Sequence, residues 1–307
     1  MLNSFNLQNI TDEEVLVVGE YEDVSYCPVC NGKDRSLYIK HRNYQLLKCK
    51  NCNLVYQSPR KKEVLLNEQY VDNVSSRSDY YDSTFIVDKI TFKKRLTKTI
   101  RLLNIDPVGK KVLDIGCNIG SFLSAAKELG FEPVGIEPNP YAAKKCEERG
   151  FQVFNSFFSK KALEGKENYF DLIHLGDITE HVTTPLELIV TVKEFTKPGG
   201  CILISTPNIK SILARVFQIK PNEHILYFDD DSLNYLIEHA GLEPVKTLIT
   251  SRKRDFKSFE YSTSFNNRRN RFILNVVKSL RIGELIMEAL KYTARDELFL
   301  IAKKKPS

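Results

Sequence analysis

Lys111-Val-Leu-Asp-Ile115, running directly into Gly116-Cys-Asn-Ile-Gly120, is the stretch on which the fold turns. Val112, Leu113 and Ile115 around Asp114 read as a short buried strand. Gly116 and Gly120 let the backbone turn sharply and approach a ligand where a side chain would collide. Residues 121–129 follow as a helix that Gly130 ends. Outward from this unit the pattern repeats. A strand at 133–136 closes on Glu137, and a helix from about Pro140 to Arg149 stops at Gly150. Further strands are expected at 151–154, 171–175, 201–206, 242–250 and 297–303. Seven strands in βαβ order predict an α/β fold with a mostly parallel, doubly wound sheet and a ligand beyond the strand carboxyl ends.

The glycine spacing narrows that ligand. Gly116-x-x-x-Gly120 lacks the G-x-G-x-x-G series of a dinucleotide site, and no G-x-x-x-x-G-K-[ST] phosphate cradle occurs. Glu137, 23 residues after Asp114 at the end of the second strand, can accept hydrogen bonds from both hydroxyls of a ribose. The expected ligand is a nucleoside without a pyrophosphate.

Upstream, Cys27-Pro-Val-Cys30 and Cys49-Lys-Asn-Cys52 lie 18 residues apart. Each C-x2-C turn puts two thiolates on one side of a knuckle, and two knuckles supply four tetrahedral ligands for a structural Zn²⁺ with no open coordination position. Strand-like Leu37-Tyr38-Ile39 and Tyr44-Gln45-Leu46-Leu47 would join them as a ribbon. A unit of about 35 residues cannot build an adequate core alone, so the metal would supply folding free energy. The ribbon could hold a partner, a substrate or RNA, or brace the rest of the chain. Residues 61–105 then read as a helical linker, with Phe85, Ile86, Ile90, Phe92, Leu96, Ile100 and Leu103 toward one side of a helix over 85–103. The expected units are 1–60, 61–105 and 106–307.

Bulk composition bounds the classes. The 307 residues are 42% hydrophobic and 27% charged, as in globular proteins with a buried core. No apolar stretch reaches a membrane span, and the N-terminus lacks the basic-then-apolar order of a signal peptide, so a cytoplasmic location is expected. The net charge of +6 is concentrated in 252–295, an insertion with eleven Lys or Arg against four Asp or Glu. Arg252-Lys-Arg254 and Arg268-Arg269-Asn-Arg271 alternate there with Phe256, Phe259, Tyr261 and Phe265. Phe272, Ile273, Val276, Val277, Leu280, Ile286 and Leu290 recur at helical spacing, predicting a helix or helix pair packed by one face. This insertion is either a solvated face over a helical lid or a trap for an anionic substrate.

Val112-Leu-Asp-Ile-Gly-Cys-Asn-Ile-Gly-Ser-Phe-Leu123 resembles motif I of the class I S-adenosylmethionine methyltransferases. Phe170-Asp-Leu-Ile-His174 and Lys197-Pro-Gly-Gly200 resemble that family's fourth strand and the turn before its fifth, and Asp296-Glu-Leu-Phe-Leu-Ile301 its final strand. The resemblance implies a Rossmann-like catalytic domain binding S-adenosylmethionine. The contacts it implies are Asp114, Gly116, Cys117, Asn118, Gly120 and Phe122 from the first turn, Glu137 and Pro138 at the ribose, Ser156 and Phe157 at the adenine, and Leu175 and Gly176 after the fourth strand. Two departures stand out: Asn118 replaces a third glycine, and Asn155-Ser-Phe-Phe158 lacks the acidic residue the family often places near adenine.

Methyl transfer to a hydroxyl or carbon acid needs a general base, and His is the usual one near neutral pH. His181, in Gly176-Asp-Ile-Thr-Glu-His-Val182, and His224, in Pro221-Asn-Glu-His-Ile-Leu-Tyr-Phe228, both fall beyond strand ends. Both patterns resemble ubiquinone-type methyltransferases and their sugar-modifying relatives. His181 reads equally as base or scaffold; His224 is the favoured base, with Glu223 and Tyr227 orienting it or holding substrate. His41 reads as ribbon surface or a further zinc ligand, and His174, alternating with apolar strand residues, as a satisfied core residue. The expected activity is O-methylation of a small molecule, sugar or glycan intermediate in biosynthesis. C-methylation of a nucleotide-linked keto-sugar and methylation of RNA are the alternatives.

Overall fold

The computed structural model describes residues 19–40, 44–72, 78–217, 219–221, 223–251 and 275–306. His41 and the clusters at 252–254 and 268–271, with the interleaved aromatics, lie outside these residues.

The N-terminal region holds strands β1 (Tyr21–Glu22), β2 (Arg35–Lys40), β3 (Gln45–Cys49), β4 (Val55–Ser58) and β5 (Arg60–Lys61), then helices α1 (Glu63–Asp72) and α2 (Ser78–Leu103). β2, β3 and β4 form the antiparallel ribbon, and β1 pairs with β5. The two cysteine turns are tight: the Asn31 N–H donates to the Cys27 carbonyl and the Asn53 N–H to the Cys49 carbonyl. Asn31 and Asn53 sit at φ 56° and 63°, where asparagine is among the few side chains readily tolerated. Helix α2 begins earlier than its apolar periodicity indicated, and Leu96 on it is fully buried against Val112, Phe122, Leu172, Leu203 and Phe299.

The larger sheet is built from β6 (Lys111–Ile115), α3 (Ser121–Glu128), β7 (Glu132–Ile136), α4 (Pro140–Glu148), β8 (Gln152–Phe154), β9 (Phe170–Gly176), α5 (Pro185–Phe195) and β10 (Thr196–Pro207). Helix α6 (Ile212–Phe217), strand β11 (Leu226–Tyr227), α7 (Asp230–His239), β12 (Glu243–Thr250), α8 (Gly283–Thr293) and β13 (Glu297–Lys303) complete it. The order across the sheet is β12-β13-β10-β9-β6-β7-β8. Only β13 runs against its neighbours, pairing antiparallel with both β10 and β12. The expected seven-stranded, mostly parallel sheet is therefore present.

Local signals start the helices where they fall. The Asn139 side chain accepts the Ala142 N–H at the head of α4, with Pro140 in the first turn. Asp229 and Ser232 form a reciprocal cap on α7. In the insertion, Val276 and Leu280 are exposed, so the expected packed apolar face is not formed by these two residues.

One tertiary feature governs the site. Strand β11, after His224, pairs antiparallel with β4, Leu226 opposite Tyr56 and Tyr227 opposite Val55. The ribbon sheet thus takes its fourth strand from the chain beyond β10, and Cys49, Cys52, Leu54 and Tyr56 share a continuous core with Ile225, Phe228 and Leu233. The described residues of the expected units 1–60 and 106–307 share this core, and those of 61–105 pack on it through Leu66 and Leu96.

Candidate active site

A cavity of about 790 Å³ opens at the carboxyl ends of β6, β7, β9 and β10. This is the size range and position of ligand sites in doubly wound folds. Helices α1 and α2 contribute Glu63, Leu66, Thr84, Val87, Asp88 and Phe92 to its wall. Sequence patterning assigned none of these to the site, because only the docking of both helices over the strand ends brings them there.

Asp114, Gly116, Cys117, Asn118, Phe122, Glu137, Pro138, Phe157 and Gly176 all line the cavity. Gly116 has φ 69° and Asn118 φ 47°, so the departure at 118 puts an asparagine where a left-handed turn is required. Its side-chain oxygen accepts the Ile119 N–H at 2.7 Å, and its backbone N–H donates to Glu137 Oε2 at 2.9 Å. Glu137 Oε1 accepts the Asn139 N–H, also at 2.9 Å. Burial outweighs these two amides and raises the Glu137 carboxyl to about 7. Asn155 donates its side-chain amide to the Glu137 carbonyl at 2.9 Å, fixing the strand end that presents this carboxylate.

Gly120, Ser156 and Leu175 do not line the cavity. Gly120 is the N-cap of α3 at φ 87°, and a Cβ there would meet Cys146 Sγ at 3.0 Å, so its freedom serves the close packing of the start of α3 against α4. Leu175 is fully buried in the sheet core. Phe158, Ser159 and Lys160 line the wall beyond Phe157 in place of Ser156.

Of the residues the sequence nominates for catalysis, His181 and His224 meet with ring centroids 4.8 Å apart at 71°, and both line the cavity with Glu223. His181 Nδ1 donates to the Glu223 backbone carbonyl at 2.6 Å, which leaves the lone pair of the neutral ring on Nε2. Burial lowers the His181 pKa, favouring that neutral form. Tyr227 stands apart from the cavity. It is buried with Tyr44, Leu46 and Val55 under the ribbon, its ring 6.4 Å from that of His224. Its place in β11 fixes its side chain on the ribbon side.

Glu180 was legible only as part of the Glu-His pair. Its Oε2 accepts the Thr206 hydroxyl at 2.9 Å, while Oε1 is buried without a partner. Desolvation, with Asp177 nearby, holds its carboxyl well above the usual range. The Glu180 carbonyl accepts the N–H groups of Ile225 and Leu226 at 3.0 and 3.1 Å, and the Gln57 N–H donates to the Ile225 carbonyl at 2.9 Å. Arg60 further donates to the Thr183 carbonyl at 3.2 Å, and the Thr183 hydroxyl to Glu63 at 2.7 Å. The two loops that bear His181 and His224 are thereby tied to each other and to β4, β5 and α1.

The four ribbon sulfurs cluster with Cys27 and Cys52 Sγ 3.4 Å apart, Cys30 and Cys49 Sγ 3.4 Å apart, and all ligand atoms within 4.8 Å of one another. A tetrahedral Zn²⁺ with Zn–S of about 2.3 Å requires sulfurs roughly 3.8 Å apart, so the arrangement fits that ion.

Residues 88–247, just over half of the chain, match the family described as "Methyltransferase domain". The chain is 30% identical over 153 residues to the ubiquinone biosynthesis O-methyltransferase of Dinoroseobacter shibae, a match covering 45% of this chain and 61% of that protein. A solved S-adenosylmethionine-dependent methyltransferase from Archaeoglobus fulgidus superposes with a TM-score of 0.50 at 25% identity, covering 70% of this chain and 94% of that one. A phosphoethanolamine N-methyltransferase from Haemonchus contortus, solved with S-adenosylmethionine, shares the fold at a TM-score of 0.52 and 17% identity, covering 82% and 63% of the two chains. This chain belongs to the methyltransferase domain family, and its sheet is the Rossmann-like sheet of the class I S-adenosylmethionine enzymes. Among the described residues no helix is long and apolar enough to cross a membrane.

Proposed function

We propose that the protein methylates a hydroxyl of a small molecule, using S-adenosylmethionine, with His181 as the proton acceptor and His224 beside it as its positioning partner. The observation that carries this reading is the His181–His224 pair, its tautomer set by the Glu223 carbonyl, within the cavity that Asp114, Asn118 and Glu137 also line. When bound, the cofactor supplies a methyl group already activated by a sulfonium. Glu137 would hold the ribose hydroxyls through a carboxylate oriented by two backbone amides. His181 Nε2 takes the acceptor's hydroxyl proton as oxygen attacks, and walls from α1 and α2 exclude water. This differs from the sequence preference for His224 and rests on the bond from His181 Nδ1 to the Glu223 carbonyl, which puts the lone pair of the neutral ring on Nε2.

The wall chemistry supports a cationic cofactor and speaks for a small acceptor over RNA. Among the described residues the cavity wall carries Glu63, Asp88, Asp114, Glu137, Asp177, Glu180, Glu187, Glu223, Asp296 and Glu297 against the lysines Lys160 and Lys220. Those of the carboxyls that are ionised attract a sulfonium and repel a polyanion. The relatives named as O-methyltransferases support oxygen over carbon as the acceptor. Sugar or glycan intermediates remain within this class, and the four ribbon cysteines would hold a structural Zn²⁺.

Titration calorimetry with S-adenosylhomocysteine, followed by cell extract incubated with isotopically labelled S-adenosylmethionine, tests the proposal. Heat of binding and a labelled O-methyl small-molecule product are expected. No binding would overturn the enzymatic reading; label on RNA or on carbon would overturn the acceptor assignment.

A further inference from the structure

His174 was expected to be a satisfied core residue, and half of that expectation fails. The side chain is 2% exposed, and Nδ1 lies 2.7 Å from Asp114 Oδ1. Nε2 is buried without a partner. A buried imidazole nitrogen left unpaired is costly, so its persistence calls for a ligand. The ring is clamped from three sides. Phe122 stacks on it at 3.9 Å with planes 2° apart, Phe92 of α2 meets it edge-on at 5.3 Å, and Asp114 fixes its rotation. The edge carrying Cε1 and Nε2 lies over Gly176, where a Cβ would stand 2.6 Å from Cε1 and 3.2 Å from Nε2. His174, Asp114, Phe122 and Gly176 all line the cavity.

The chemistry of the orphan nitrogen follows from its partner. Asp114 is acceptor-only when ionised, so Nδ1 carries the proton and Nε2 of the neutral ring presents a lone pair. An acceptor backed by a carboxylate suits a cationic donor. Resting on the cofactor reading above, we propose that His174 Nε2 accepts a hydrogen bond from the α-ammonium group of the cofactor's methionine portion. Asp114 then acts as a positioning residue through the imidazole. Phe122 and Phe92 hold the ring so that little side-chain entropy is lost on binding.

Calorimetry on the intact protein tests this with four probes: S-adenosylhomocysteine, its desamino analogue, its decarboxylated analogue, and 5′-methylthioadenosine, which lacks the amino-acid portion. On the unaltered protein the desamino analogue is expected to bind at least about tenfold more weakly than S-adenosylhomocysteine, the scale of one charge-assisted hydrogen bond. In His174→Phe, which keeps an aromatic ring for Phe122 to stack on, that difference should vanish. The decarboxylated analogue should still lose about tenfold in the variant, and 5′-methylthioadenosine should bind both proteins equally. Equal binding of S-adenosylhomocysteine and its desamino analogue to the unaltered protein overturns the proposal without any variant. So does a variant that weakens all four probes alike, or one whose loss tracks the carboxylate instead of the amine. Failure of the unaltered protein to bind any probe would instead sink the cofactor reading itself.

Discussion

Glu137 shows how one carboxylate can carry opposite signs for binding and stability. Its carboxyl is raised to about 7 by burial, above the unfolded value near 4.5. Between those values the folded state binds more protons, so apo-protein stability falls as pH rises through that window. Ribose recognition needs the ionised form, so cofactor affinity moves the other way. Affinity for S-adenosylhomocysteine should rise about tenfold from pH 6 to pH 8, and Glu137→Gln should bind weakly with no such slope. Calorimetry at several pH values reads both; a flat profile for the unaltered protein would reject the ribose assignment. The Glu137→Gln apo protein should also melt higher than the unaltered one at pH 8. At the catalytic end, His181→Ala should lower turnover by 10²-fold or more with little change in S-adenosylhomocysteine affinity. His224→Ala should cost less, and the reverse ranking would restore His224 as the base. Because burial depresses the His181 pKa, turnover should hold near neutral pH and fall only below the ordinary histidine range.

The two-residue strand β11 is the element that makes the ribbon matter for chemistry. It begins two residues after His224, pairs with β4, and carries the Leu226 amide that, with that of Ile225, holds the Glu180 carbonyl. A short strand has few hydrogen bonds of its own, so its position depends on the ribbon it joins. Removing the Zn²⁺ proposed for the four thiolates would melt the ribbon knuckles and unmoor both histidines. Mild chelation should therefore lower turnover sharply while cofactor affinity stays within about twofold, with activity returning when Zn²⁺ is restored. Parallel loss of both, or of neither, would show that the ribbon does not brace the two histidine loops. The bracing role is the one these contacts support among those the cysteine spacing left open.

For the molecule as a whole, the first long helix and the last strand are locked together. Arg95 on α2 forms a buried ion pair with Glu297 on β13, Arg95 Nη1 to Glu297 Oε1 being 3.1 Å, and the guanidinium lies 5.3 Å from the Phe299 ring centroid. Removing one member leaves a buried charge without its partner. Arg95→Met is expected to cost about 3–5 kcal/mol in urea unfolding, whereas a surface pair such as Lys160–Glu194 should be worth about 1 kcal/mol or less. A similar small loss from both would mean that Glu297 finds water or a proton in the variant.

Strand and helix periods, helix-ending glycines and cysteine spacing are local properties of the chain. They were enough to determine the seven-stranded sheet, the Asp114–Gly120 turn, Glu137 and the four ribbon thiols. Tertiary contact decided the rest, because it brings together residues with no shared period or motif. Residues from α1 and α2 reach the cavity only when those helices dock. Tyr227 turns to the ribbon because β11 pairs with β4, and Gly120 faces Cys146 because α3 starts there. The unpaired nitrogen of His174 is likewise invisible in a strand of alternating residues: burial follows from the pattern, but whether every buried polar atom finds a partner depends on all the chains of contact that close around it.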